Sequence, residues 1–257
     1  MLSREQVLVR LRAGAVHLAI CTLIALLLVA LVFLVWYPAP LDAATGVRRI
    51  FLTLLAVDVT IGPLLTFLVF DPRKRSLKFD LAVIALLQVA ALSYGIYTVV
   101  DARPAYVVFN IDRFDLVLAK DIDPESEKHK PRDQYRQAPI AGPVWVAADL
   151  PKDPEERNRI LFKAAGGGYD LPQMPEYYLP LPEATSEIKA HIQPLDLLLS
   201  LNDFQSSRAR ALLEPYLAHP DAYGFLPLKG TVDDLAVIVS RASGEVVATL
   251  ALKPWKA

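Results

Sequence analysis

Thiols are nearly missing from this sequence: Cys21 is the one cysteine in 257 residues, so no internal disulfide can form. Histidine is scarce too, and His17, His129, His191 and His219 share no metal-ligand spacing. With no cysteine after residue 21, a zinc site in the C-terminal part would have no thiolate to use. A phosphate loop is also missing. Gly166-Gly167-Gly168 has no Lys-Ser/Thr pair behind it, and it trails a helix-like stretch instead of leading one. The adjacent carboxylates Asp233 and Asp234 enter a strand-like run, where neighbours point to opposite faces. No metal, cofactor or nucleic-acid partner is expected, and no catalytic set assembles.

What the chain has in excess is apolar residue, 54% of the total, and it is unevenly placed. Residues 1–100 hold nine Lys/Arg against five Asp/Glu, whereas residues 101–257 hold eighteen against twenty-three. The first part suits lipid and the second suits water. Three apolar runs, at about residues 13–36, 50–70 and 81–100, each reach the ~20 residues that cross a hydrocarbon core of roughly 30 Å. They lack a polar face at helical period, which argues against a soluble bundle. The expected architecture is therefore a membrane protein: three transmembrane α-helices in residues 1–100, then a mixed α/β (α+β) domain over 101–257.

Arg4, Arg10 and Arg12 precede the first run like the basic end of a secretory signal. The run exceeds the ~15 residues of a signal core, and Trp36-Tyr37-Pro38 is a poor cleavage site, so it reads as an uncleaved anchor. Basic residues flank the spans at the N-terminus and again at Arg73, Lys74, Arg75 and Lys78, but only Arg48 and Arg49 lie between the first two runs. Lys and Arg are retained on the cytoplasmic side. The N-terminus is thus expected in the cytoplasm and the C-terminal domain outside, in the periplasm of a two-membrane bacterium, with Trp36 and Tyr37 at the outer interface.

Polar residues inside the spans each need a reason. Asp58 lies about 18 Å from the cytoplasmic end of the second run by helix rise, and a charge at mid-bilayer costs roughly 2.5–3.5 kcal/mol on insertion scales. It needs a proton or a polar partner, and the same counting puts Ser93 and Tyr94 at its level. Packing between helices, docking of another transmembrane helix and a proton path are the three uses open to it. Gly62-Pro63 is expected to interrupt the helix and offer a concave surface for close approach. His17 and Gln88 read as packing or interface residues.

In the C-terminal part, Ala105–Ile111 and Phe114–Ala119 read as a strand pair or one broken strand. Lys120–Pro139 reads as a solvated loop, with its Lys128-His129-Lys130 cluster exposed. Pro154–Ala165 has helix character, with proline at its start and Gly166–Gly168 as its stop. Ser186–Leu201 and Asp203–Leu217 read as helices. Leu235–Ser240 and Glu245–Leu252 flank an Ala242-Ser243-Gly244 turn as a hairpin.

Three stretches carry a resemblance: Asp58 to Val117, Gly166 to Leu181 (GGGYDLPQMPEYYLPL) and Gly244 to Trp255 (GEVVATLALKPW). They resemble the TfpX/TfpZ family of type IV pilin accessory proteins. The resemblance implies a multi-pass inner-membrane protein that is not an enzyme and that assists assembly or surface display of a cognate major pilin. Inner-membrane pilus assembly proteins are further partners it implies, beside the lipid bilayer. It carries over no catalytic residue, and it leaves open whether such a factor acts as chaperone, extension factor or retraction antagonist. Candidate pilin contacts are Asp58, Gly62 and Pro63 in the membrane, and Tyr169, Met174, Tyr177 and Tyr178 in the tyrosine-rich loop. Two other classes stand beside this one. An intramembrane protease would need a second membrane carboxylate, and a sensor or receptor subunit would need a partner to supply its cytoplasmic output.

Overall fold

The computed structural model describes residues 3–129, 131–202 and 206–256. The first four α-helices are α1 (Arg4–Leu31), α2 (Leu41–Thr45), α3 (Val47–Val69) and α4 (Leu77–Asp101). The chain divides into two units, one running to Val35 and resuming over Val47–Asp101, the other made of Trp36–Gly46 with residues 102–257.

The first unit is α1, α3 and α4, three helices long and apolar enough to cross a membrane. Ser3 caps α1: its hydroxyl accepts from the Gln6 N–H, and the Gln6 side chain accepts from the Ser3 N–H in return. The end of α1 widens into a π-helical turn, Val32–Trp36. Leu23, Leu26, Leu27, Leu86, Leu87 and Val89 are all at least 60% exposed, which suits acyl chains and would be costly in water. The unit anchors the protein in a membrane. α3 packs against both α1 and α4, and it runs unbroken through Pro63. The expected interruption at Gly62-Pro63 does not occur, because both residues are buried between helices, where neighbours accommodate a proline inside a membrane helix.

The second unit is built on a mixed seven-stranded sheet. Its strands are β1 (Pro104–Asn110), β2 (Arg113–Leu118), β3 (Val144–Ala148), β4 (Tyr178–Pro180), β5 (Tyr223–Lys229), β6 (Leu235–Ser240) and β7 (Val246–Leu250), in the order β4-β3-β1-β2-β5-β6-β7. β1–β3 and β2–β5 run parallel, and the other pairs are antiparallel. The fold is α+β, as the sequence predicts. Period-two alternation sorts β6 onto two cores: Leu235, Val237 and Val239 face one, with Phe109, Phe114 and Leu228, while Ala236 and Ile238 face the other, with Phe225, Leu198 and Leu213.

α5 (Pro154–Ala165) begins at the Asp153 cap, with Pro154 in the first turn, and ends at the glycines. The single helix expected over Ser186–Leu201 is two, α6 (Thr185–His191) and α7 (Leu195–Leu201). Pro194 cannot donate a helical hydrogen bond and holds the residue before it extended, so Gln193 pairs with Phe225 instead, N–H to carbonyl in both directions at 2.9 Å. α8 spans Ser206–Leu217; the residues 203–205 assigned to it from sequence lie outside the described residues, as does Lys130 of the basic cluster. The stretch expected to be a plain surface loop, Lys120–Pro139, is instead a run of short 3-10 turns that buries Asp123, Ser126 and Tyr135.

The segment between the first two apolar helices belongs to this second unit. Leu41 and Ala44 sit in the same core as Leu228 and Val237. The Ala44 carbonyl accepts the N–H groups of Thr231 and Val232 at 2.9 and 2.8 Å. Gly230 makes that turn possible, since a Cβ there would lie 2.0 Å from the Asp233 carbonyl oxygen.

Candidate functional site

Within the helical unit, polar side chains meet at Gln88. Its amide nitrogen lies 3.2 Å from the Asp58 carbonyl oxygen, 3.4 Å from Asp58 Oδ1 and 3.7 Å from Cys21 Sγ, so one α4 side chain ties to both α3 and α1. Gly62 makes the room, for a Cβ added there would stand 2.0 Å from Gln88 Nε2. Small residues set the other approaches: Gly14 of α1 lies against Phe67 and the Pro63 carbonyl, and Gly95 of α4 lies under Leu54. Nearer the basic end, His17 Nδ1 is 2.6 Å from Thr66 Oγ1.

Ser93 and Tyr94, expected at the level of Asp58, are instead exposed. The count failed because α4 starts at Leu77, four residues before the apolar run. Measured from the helix ends, Asp58 and Gln88 are each eleven residues in, about 16 Å at helical rise. Of the membrane candidates, Asp58 is half-buried and occupied by Gln88, and Gly62 and Pro63 face the protein's own helices.

The tyrosine-rich loop in the second unit is largely interior. Tyr178 and Met174 are buried, at 2% and 4% exposure, so neither presents a surface to a partner. Tyr178 joins Tyr106 and Tyr135 in an edge-to-face cluster with centroids 4.9–6.2 Å apart, and its hydroxyl donates to the Pro172 carbonyl. Burial pushes its phenol well above the usual tyrosine range. Met174 and Leu171 pack on Ile160 of α5.

Tyr169 and Tyr177 are half-buried. The Tyr177 hydroxyl donates to Glu156 at 2.6 Å, and burial together with that carboxylate pushes its phenol up to about 12. Lys163 lies 5.5 Å over the Tyr169 ring and reaches Asp123 at 2.7 Å. Burial alone would raise the Asp123 carboxyl, but the Lys163 ammonium and the Glu125 N–H outweigh it and hold it below its ordinary value. Gly167 ends α5 at φ 84°, a helix stop as the sequence predicts. What sequence reading missed is the pairing of Asp123, in a stretch taken for solvated loop, with Lys163, forty residues on in the helix α5; the signal available was the apolar Ile122 beside the acid.

The described residues contain no group of three potential metal ligands. Three long apolar helices carrying a polar contact, followed by an α+β domain with a filled aromatic interior, define a membrane-anchored α+β protein. The comparisons give the family. A model for the fimbrial assembly protein FimB matches residues 5–46. The fimbrial assembly protein of serogroup I from Dichelobacter nodosus is 30% identical over 230 residues, covering 88% of this chain and 89% of its own, and the serogroup E1 protein matches over the same shares. A protein of serogroups C1 and C2 is 33% identical over 123 residues, 47% of this chain. The chain belongs to the fimbrial assembly protein (FimB) family. No solved structure matches it.

Proposed function

We propose that the protein is a non-enzymatic accessory factor of type IV pilus biogenesis, of the TfpX/TfpZ kind, which assists assembly or surface display of a cognate major pilin at the bacterial inner membrane. The observation that carries this reading is similarity along 88% of the chain to proteins described as fimbrial assembly proteins. No enzymatic family is indicated by these matches.

In this reading the N-terminus is cytoplasmic and the second unit periplasmic. Trp36–Gly46 and residues 102–257 form one folded unit, which is in keeping with an odd number of crossings between N-terminus and domain. The pilin's membrane helix is held by the bundle whose shape Asp58, Gly62 and Pro63 set. Its head meets the outer domain around the half-buried Tyr169 and Tyr177.

Three experiments test this. Deleting the gene should strip pili from the surface, with wild type restoring them, and photo-crosslinkers placed one at a time at lipid-facing Ile61 and at Tyr177 should capture the major pilin in living cells. Normal piliation in the deletion strain would refute the function; piliation lost without crosslinks from the bundle or from Tyr177 would refute direct pilin contact. A periplasmic reporter fused after Lys256 should be active and one near Ser76 silent, and the reverse pattern would overturn the orientation.

A further inference from the structure

The hairpin between β1 and β2 turns on a residue poorly suited to the task. Asn110 pairs with Arg113, leaving Ile111 and Asp112 as the turn, and the Asp112 N–H bonds the Asn110 carbonyl at 2.8 Å across Ile111. That three-residue closure puts Ile111 at φ 61°, the rare strained γ-turn form. A β-branched side chain at positive φ is a genuine outlier, where glycine, asparagine or aspartate would sit at lower cost. The side chain is also 61% exposed, so the domain's own interior recovers little of what the turn costs. Backbone strain of this kind persists where a surface is used.

Beside the turn lies a cavity of about 350 Å³, in the size range of a ligand or side-chain pocket. Phe109, Leu150, Leu171 and Leu179 give it an apolar wall, and Ile111 lies at its edge. Asp149, Glu183 and Glu187 line it as well. Arg132 engages Glu183 with both guanidinium nitrogens, at 3.1 and 3.3 Å, and also feels Asp149. With His191 the remaining titratable side chain of the lining, three carboxylates face one guanidinium and the balance is negative, with Asp149 and Glu187 as its carriers. An apolar floor under an acidic rim complements one kind of occupant.

We propose that this groove is a docking site for a partner polypeptide that inserts an apolar side chain against Ile111 and sets flanking lysine or arginine residues on Asp149 and Glu187. The site lies wholly within the second unit and does not depend on the pilus reading.

The full chain, reconstituted in zwitterionic phosphatidylcholine nanodiscs so that cationic probes do not adsorb to lipid, is titrated with three fluorescein-labelled peptides followed by anisotropy. These are Lys-Lys-Leu-Lys-Lys, the same peptide with serine at the centre, and Glu-Glu-Leu-Glu-Glu. The first should bind saturably, at least tenfold tighter than the other two, and should weaken as salt rises from 50 to 500 mM. Ile111→Gly should weaken it at least fivefold while raising the midpoint of thermal unfolding, a combination that loss of folding cannot produce. Glu187→Lys with Asp149→Lys should weaken it at least tenfold at unchanged unfolding midpoint. Equal binding of the three peptides, or parent-like binding by Ile111→Gly, overturns the proposal. Self-association of the parent that Ile111→Gly abolishes, without a peptide effect, overturns it in favour of a second copy of this chain.

Discussion

Two buried aspartates in the second unit respond to pH with opposite sign. Asp115, 9% exposed, lies near Arg113 at 3.4 Å and accepts from Asn110, yet burial outweighs both and raises its carboxyl. A raised folded value means stability present in acid and lost as pH rises past the ordinary carboxylate range. Asp115→Asn, which imitates the protonated form, should therefore unfold at higher temperature than the parent at pH 7.5, and the gap should close as pH falls toward 4. Asp123 behaves in reverse. Its lowered carboxyl contributes stability at neutral pH that disappears as pH falls through the folded value, and Lys163→Met, which leaves the acid buried without its ammonium, should cost about 2 kcal/mol at pH 7.5. Thermal unfolding of both variants across pH reads both signs. The tyrosine pair separates in the same way: Tyr178→Ser should lose the folded protein, since truncating a buried aromatic costs about 3–5 kcal/mol, whereas Tyr177→Phe forfeits one hydrogen bond, about 1 kcal/mol, and should accumulate normally.

At the level of elements, α3 and α4 are held by a polar contact that neither helix could satisfy alone. Asp58→Leu and Gln88→Leu should each weaken the bundle, and the double variant should recover part of the loss. The expected coupling is about 0.6–1.7 kcal/mol, the range of polar contacts between membrane helices, measured by thermal unfolding in detergent. Additive losses would mean the two side chains act separately. The partnership was half legible in the sequence. Asp58 announces itself by its cost in lipid, but Gln88 could be matched to it only with helix ends, and Lys78 and Asp80 disguise the first turn of α4 as loop.

The sheet shows a similar limit. The terminal hairpin was readable because Leu235–Ser240 and Val246–Leu250 are β-branched on both sides of a Ser-Gly turn. β5 was not, because Gly224 and Pro227 read as breakers. Pro227 is tolerated inside the sheet because β2 pairs with β5 only at Leu228 and Lys229, past the proline, so no ladder partner on that side needs its missing N–H. β3 was hidden for another reason: its partner β1 is reached by a parallel pairing across some forty residues, which no local pattern records.

On the scale of the whole molecule, the second unit is discontinuous in sequence. Composition divides the chain near residue 100, and a fragment cut there lacks Leu41 and Ala44 from its core and the carbonyl that anchors the Thr231–Val232 turn. Residues 102–257 expressed alone should unfold at lower temperature than the same unit in the full chain. A peptide spanning Trp36–Gly46 added in trans should raise that midpoint in a concentration-dependent way, as anything that binds only the folded state must. No rise at saturating peptide would mean the segment contributes nothing to the domain.

The same arrangement sets an order of events in synthesis. Trp36–Gly46 is made as soon as the first long helix is complete, two long apolar helices before any strand of its sheet exists. Until β5 and β6 emerge, Leu41 and Ala44 have no apolar surface of their own unit to meet, and they wait on a short tether between two inserted helices. Closure of the domain then requires the tether and the strands to share one side of the membrane: a chain that inserted only one of α3 and α4 would leave them on opposite sides, and the domain could not form.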